Sequence, residues 1–215
     1  MIKKIKKELL KYTYYFPALQ SWQDKKKQAA DLEKWRKNPH PFMLPHLLKQ
    51  EVLKKYAQEY HLSNLVETGT YLGEMVYALK DVFEKIYSIE LSEQYAKRAQ
   101  IYLRRQKHVK IIQGDSGDMV GELLREIDKP TLFWLDGHYS ADDTAMGKKS
   151  TPILEELAHI LRARDLKHVV LIDDAHDFGR AKDYPSLDEL CSYIMTLCKN
   201  VEVTSKDDII RILPV

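Results

Sequence analysis

Five apolar runs of this 215-residue chain close on acidic residues, and the side chains able to do chemistry are concentrated at those junctions. Phe133-Trp-Leu-Asp136 is followed by Gly137, His138 and Tyr139, and Val170-Leu-Ile-Asp173 by Asp174, Ala175 and His176. Carboxylates gathered at adjacent strand ends repel one another, so basic partners or a bound cation must compensate them. Oxygen-only ligands select a hard ion. Mg²⁺, or Mn²⁺, would take Asp136, Asp173 and Asp174 and keep its other positions for water or substrate oxygens. The competing arrangement has Asp174 capping a turn and Asp173 paired to a basic neighbour.

A second group of residues suits a nucleoside. Glu67-Thr-Gly69-Thr70-Tyr71-Leu-Gly73 separates one apolar run from a helical pattern. Gly69 permits a tight turn there, and Gly73 lets the helix begin close to a ligand or the sheet. A dinucleotide fingerprint fails, because its middle glycine falls at Tyr71, which disfavours a nicotinamide oxidoreductase. Glu90, 21 positions after Gly69, is placed to accept hydrogen bonds from both hydroxyls of a ribose. Asp115 and Ser116 offer a carboxylate and a hydroxyl to an adenine amino group, although Asp115 taken singly reads more readily as a helix cap.

The combination resembles the class I S-adenosylmethionine (SAM)-dependent methyltransferases, whose first motif is an acid followed by glycines across the first strand-helix turn, with a further acid ending strand two. The resemblance covers residues 60 to 215. Glu67, Gly69 and Gly73 match the first motif and Glu90 the ribose acid. It implies that Thr70 and Tyr71, standing where many members have a further glycine, belong to the cofactor turn, and that Asp115 and Ser116 lie near the adenine. Asp136, Asp173 and Asp174 resemble the metal triad of a subset, the Mg²⁺-dependent O-methyltransferases of sugar hydroxyls in macrolide and aminocoumarin antibiotics. The implied role of Asp136 is double, in the cofactor site and as a metal ligand. In that subset a base sits two residues after the first metal acid. Here this is His138, where some members have aspartate, and imidazole titrates near neutrality as a base should. His176 is the second candidate base, and the other six histidines lack such a context. The strings Phe133 to Tyr139, Thr151-Pro-Ile-Leu-Glu-Glu-Leu157 and Leu171 to Asp174 also resemble bacterial methyltransferase-like proteins often encoded with surface-polysaccharide genes. The implied cofactors are SAM and Mg²⁺ or Mn²⁺, the implied acceptor a carbohydrate. A SAM- or glycan-binding module without turnover, and a non-carbohydrate small-molecule acceptor, stand as alternatives.

These residues need a scaffold that lines up strand ends. From about residue 64 onward, short β-branched runs alternate with amphipathic stretches, the pattern of a parallel sheet covered by helices. Strands are expected at 65–67, 85–90, 109–113, 131–136 and 168–173, then at 201–204 and 209–213 as a closing antiparallel hairpin around Ser205 to Asp208. The predicted fold is α/β, a Rossmann-like doubly wound, mostly parallel seven-stranded sheet. Ser92 is a helix cap, Thr151-Pro152 opens a helix with Glu155 and Glu156 in its first turn, and Ser186 with Glu189 forms a capping box. Gly137 to Ser150 carries no helix or strand pattern and reads as a lid, with Gly137 and Gly147 as hinges, Tyr139 against the acceptor and Lys148 or Lys149 meeting an acidic sugar.

Residues 1–60 carry no strand signal and form a helical arm broken around Asn38 to Pro45. They hold 14 Lys/Arg against 6 Asp/Glu, whereas the methyltransferase-like remainder, 61–215, holds 20 against 26. A basic arm suits acceptor docking, self-association as a homo-oligomer, or peripheral contact with a membrane surface. Nucleic acid is not the expected partner, since no Asn/Asp-Pro-Pro-Tyr/Phe type motif is present. With no apolar run near the roughly 18 residues of a membrane span, no export signal, and only Cys191 and Cys198, the expected compartment is the reducing cytoplasm.

Overall fold

Alternation of inward and outward side chains along a strand gives each strand two faces to cover, and this chain covers both. The computed structural model describes residues 12–40, 44–137, 151–163, 167–181 and 183–215. Its strands are β1 (Asn64–Thr68), β2 (Lys85–Glu90), β3 (Val109–Gln113), β4 (Thr131–Leu135), β5 (Val169–Ile172), β6 (Val201–Lys206) and β7 (Ile209–Pro214). They form one sheet in the order β3-β2-β1-β4-β5-β7-β6, with β7 antiparallel to both β5 and β6 and the other pairs parallel. This is the predicted α/β architecture, with every strand within two residues of its expected bounds.

The helices are α1 (Pro17–Lys37), α2 (His46–Glu59), α3 (Glu74–Leu79), α4 (Glu93–Leu103), α5 (Ser116–Leu123), α6 (Ile153–Arg162) and α7 (Leu187–Leu197). One face of the sheet, with Val66, Ile89, Phe133, Leu135, Val170 and Ile172, packs on Val120 and Leu123 of α5, Leu157 and Ile160 of α6, and Leu190 and Ile194 of α7. The opposite face, with Leu65, Ile86, Leu132, Trp134 and Leu171, packs on Leu53 and Tyr56 of α2, Val76 and Leu79 of α3, and Ala99 and Tyr102 of α4. The central strands β1, β4 and β5 are buried along their whole length, as parallel strands covered on both faces must be. Trp134 is fully buried, the core role its mid-strand position suggests.

Caps fall where the sequence places them. The Ser92 hydroxyl accepts from the Tyr95 amide at 3.4 Å, and Ser186 and Glu189 complete the capping box of α7. The hairpin differs in its turn: β6 runs on to Lys206, and only Asp207 and Asp208 reverse the chain, with φ of 52° and 59°. A two-residue turn with both residues left-handed matches the twist of the paired strands, and aspartate tolerates that conformation.

The arm divides into two parts. Leu53, Tyr56 and Ala57 seat α2 in the core. By contrast α1 buries a polar edge: Gln20, Ser21, Asp24 and Gln28. Gln20 Nε2 donates to Asp24 Oδ1 at 2.7 Å, Tyr102 OH to Asp24 Oδ2 at 3.2 Å, and Gln28 Nε2 to Glu74 Oε2 at 3.2 Å. Burial pushes the Asp24 carboxyl up to about 6.

Candidate active site

The parallel ladder runs one residue beyond the strands, and this fixes the acids relative to one another. Gly69 N donates to Ile89 O at 2.9 Å, Asp136 N to Thr68 O at 3.0 Å, Asp173 N to Leu135 O at 3.0 Å, and Gly114 N to Glu90 O at 3.0 Å. The carboxyl edge of the sheet therefore presents, in spatial order, Asp115, Glu90, Glu67, Asp136 and Asp173. The strand order reverses between β1 and β4, and ligands of open α/β sheets bind at such switch points.

On one side of the switch lies the glycine turn. A Cβ on Gly69 would sit 2.4 Å from Asp136 O, so only glycine lets β1 leave the sheet beside β4. Gly73 (φ 75°) and Tyr71 (φ 46°) are left-handed as well. Tyr71 N donates to Glu90 Oε2 at 2.7 Å and Ser92 N to Glu90 Oε1 at 2.9 Å, which aims the carboxylate. Behind the turn Ser88 donates to Glu67 and lies 2.6 Å from the Thr70 hydroxyl. Burial pushes Glu67 well above the usual carboxylate range, against the pull of Ser88. The Tyr71 ring is 42% exposed and packs on Tyr95, with centroids 4.8 Å apart, forming an open wall of the site. Asp115 does cap α5, its Oδ1 accepting from Gly117 N at 3.0 Å, and Ser116 is buried beside it. If this turn holds SAM, as the sequence resemblance implies, replacing Glu90 with alanine is expected to weaken its binding by roughly 10- to 100-fold, since hydrogen bonds to a carboxylate contribute about 1.5 to 3 kcal/mol. Calorimetric titration of both proteins measures it.

On the other side Asp136, Asp173 and Asp174 bring ligand-type oxygens within 4.8 Å of one another. Asp174 is left-handed (φ 51°) and precedes a 3₁₀ turn, Ala175–Asp177, without a side-chain cap. The competing arrangement is present in part, because Lys49 of α2 donates to Asp173 and lies 3.8 Å from Asp174. Burial opposes the Lys49 charge, yet Asp173, Asp136 and Asp174 together raise its pKa. Burial and the Asp136 charge push the Asp173 carboxyl up, against the pull of Lys49. The Lys49 ammonium thus faces all three carboxylates, and Asp173 Oδ1 is buried with no hydrogen-bond partner. A buried oxygen of that kind, with two further carboxylates beside it, fits a hard divalent ion.

A small cleft opens beside Asp136 and Asp173, lined also by Glu156 and Tyr184. Glu156 is not merely an acid favoured by the helix dipole. Burial pushes its carboxyl up to about 7, while the Ser116 and Thr68 hydroxyls pull the other way. An acid whose pKa rises on folding supports the folded state at low pH and loses that support as pH climbs from its ordinary 4.5 toward 7. Asp24 slopes the same way. The test is therefore a difference: Glu156→Gln should flatten the fall of melting temperature with pH and be more stable than the parent near pH 8 by about 1 to 3 kcal/mol. Parallel melting curves for the two proteins would assign the slope elsewhere.

His176 is fixed by the hairpin turn. Its Nδ1 lies 2.8 Å from Asp208 Oδ2, its amide donates to Asp208 Oδ1 at 2.9 Å, and Nε2 is 3.6 Å from Asp177. His138, Tyr139, Gly147, Lys148 and Lys149 lie outside the described residues. Sequence reasoning missed Lys49, His46, Glu156 and Asp208. His46 is half-buried, its Nδ1 accepting from Gln50 at 2.7 Å and Gln28 at 3.1 Å, and partial burial lowers its pKa. A signal existed for two of them, since His46 and Lys49 lie on the stripe that continues through Leu53 to Tyr56 into the core.

No known family description matches the sequence, and no curated protein does. Solved structures do match. The O-methyltransferase TomG from Streptomyces achromogenes, involved in tomaymycin synthesis and in complex with SAM, superposes with a TM-score of 0.58 at 17% identity over 87% of this chain and 88% of that one. An O-methyltransferase from Bacillus cereus with bound SAH gives 0.56 at 15% identity over 90% of each chain. The N-methyltransferase NodS from Bradyrhizobium japonicum, also with SAH, gives 0.53 at 12% identity over 90% and 98%. Among the described residues no helix is long and apolar enough to cross a membrane. With its strand order, glycine turn and row of acids, this chain has the Rossmann-like fold that these methyltransferases share.

Proposed function

We propose that the protein is a SAM-dependent O-methyltransferase that methylates a sugar hydroxyl of a glycan or glycoconjugate, with Asp136, Asp173 and Asp174 holding Mg²⁺ or Mn²⁺. The observation that carries this reading is the division of the acid row at the β1/β4 switch. Glu90 and Asp115 stand on the nucleoside side, and a tight acidic triad with an unpartnered buried oxygen stands on the other. The likeness of that triad to the sugar O-methyltransferases supports the acceptor class.

A sugar hydroxyl is a poor nucleophile near neutral pH. When bound, SAM supplies the methyl group and the divalent ion the positive charge that acidifies the hydroxyl. The chain does the rest. Glu90, aimed by the Tyr71 and Ser92 amides, accepts the ribose hydroxyls, while Asp115 and Ser116 face the adenine. Gly69 brings the turn against the Asp136 backbone, so the two halves of the site are held at a fixed separation. His138 takes the hydroxyl proton. His176 is the second imidazole in reach of the triad; Asp208 accepts from its Nδ1–H and leaves Nε2 to accept a proton.

Labelled SAM offered with a panel of sugar acceptors, in Mg²⁺, Mn²⁺ or EDTA, tests the proposal. Transfer that requires the ion is expected. The Lys49 contact with Asp173 favours a second reading, in which the lysine alone compensates the acids, and transfer undiminished by EDTA would establish it. SAM binding without transfer to any acceptor would instead reduce the protein to a binding module.

A further inference from the structure

Helix α1 is built inside out. The edge it turns toward the domain is polar, with Gln20, Ser21, Asp24 and Gln28 all buried. The edge that its first turns and the 3₁₀ turn before it present to solvent is aromatic. Phe16 is 66% exposed, Trp22 60%, Tyr12 56%, Tyr15 46% and Leu19 45%. Steps of three and four residues put these side chains on one line running from the 3₁₀ turn Thr13–Tyr15 into α1. Single exposed apolar residues need no explanation, but a continuous apolar ridge beside a buried polar edge marks a surface with a partner.

The charge beside the ridge selects that partner. Lys25, Lys26, Lys27, Lys34, Arg36 and Lys37 are exposed on α1 against two exposed acids, Asp31 and Glu33, and the third acid of the helix, Asp24, is buried. Lys26 continues the ridge line, with its ammonium 5.3 Å from the Trp22 ring centroid. A second copy of the chain would bring the same positive surface against itself. An anionic bilayer answers both features: aromatic side chains settle at the level of the headgroups, and lysines beside them reach the lipid phosphates. We infer that the Tyr12-to-Trp22 ridge, which runs from the 3₁₀ turn into the start of α1, docks the protein on an anionic membrane surface. The helix lies in the interface and does not span the bilayer. This contact is separate from the reaction chemistry proposed above and stands without it.

Co-sedimentation of the full chain with vesicles tests the inference. Binding to vesicles of phosphatidylcholine mixed with phosphatidylglycerol is expected, with little binding to phosphatidylcholine alone and a clear loss as salt rises from about 0.1 to 0.5 M. The double substitution Phe16→Ser/Trp22→Ser should weaken binding by about tenfold or more. Lys25→Glu/Lys26→Glu should do the same. All four positions are exposed, so melting temperature and SAM affinity should stay at parental values, which separates lost docking from lost folding. Absence of vesicle binding by the parent protein would overturn the inference, as would parental binding by both variants. A parent dimer that becomes monomeric in Phe16→Ser/Trp22→Ser, with vesicle binding unchanged, would assign the ridge to a second copy instead.

Discussion

Lys49→Met should make the folded protein dependent on divalent ions. The lysine side chain is 17% exposed and that of Asp173 2%, so the pair sits largely out of water. Removing one partner of a buried pair leaves the other charge uncompensated, at a cost of about 3 kcal/mol. In EDTA the variant should therefore melt well below the parent. If the triad holds an ion, the same substitution removes the competitor for the Asp173 carboxylate. Mg²⁺ or Mn²⁺ at about one hundred times its dissociation constant then restores roughly 2.7 kcal/mol, and the variant responds to the ion more strongly than the parent. Asp173→Asn should show the opposite pattern, tolerating EDTA and gaining nothing from either metal. Differential scanning calorimetry with and without the ion reads all three proteins without reference to activity. Equal melting temperatures for Lys49→Met in EDTA and in metal would mean that the acids are a lysine-compensated structural cluster.

Lys49 also marks the boundary of what the sequence discloses. The parallel strands were legible because each is a short run of apolar and β-branched residues that stops at or just before Gly, Asp or Glu, and burial on both faces makes the central runs β1, β4 and β5 continuous. The acids were legible because a strand end in an α/β sheet has one place to point. The need for a counter-charge followed from the repulsion of three carboxylates, whereas its source did not, since Lys49 is 124 residues from Asp173 and depends on how α2 seats. Glu156 was hidden for a related reason. An acid in the first turn of a helix satisfies a local rule, and only the packing of α6 against the sheet shows that this one is buried. Asp115 shows the reverse: its local role as a cap is present, and its place at the edge beside Glu90 is present too. The polar buried edge of α1 has no precedent in a hydrophobic pattern, because that pattern points to its opposite side. A helix read by apolar spacing alone would have been packed the wrong way round.

The base is the residue on which turnover should depend most. His138→Ala should leave SAM affinity near the parental value and lower kcat by roughly 10²- to 10⁴-fold, the usual contribution of a positioned base. Its place in the sequence, two residues after Asp136, is where the resembling O-methyltransferases carry their base. His176 competes for the role with a described geometry. Asp208 accepts its Nδ1 proton at 2.8 Å, which fixes the ring's orientation and turns Nε2 away from that carboxylate. The two histidines separate by their dependence on that carboxylate. If His138 is the base, His176→Ala and Asp208→Asn should each reduce kcat modestly, and the acidic limb of the pH-rate profile should vanish only in His138→Ala. If His176 is the base, His176→Ala should lower kcat by roughly 10²- to 10⁴-fold, Asp208→Asn should lower it as well because the ring loses its orienting partner, and His138→Ala should keep nearly full turnover. A third pattern, in which His138→Ala loses Mn²⁺ affinity along with activity, would make the imidazole a metal ligand in place of a base, and would move proton removal to His176.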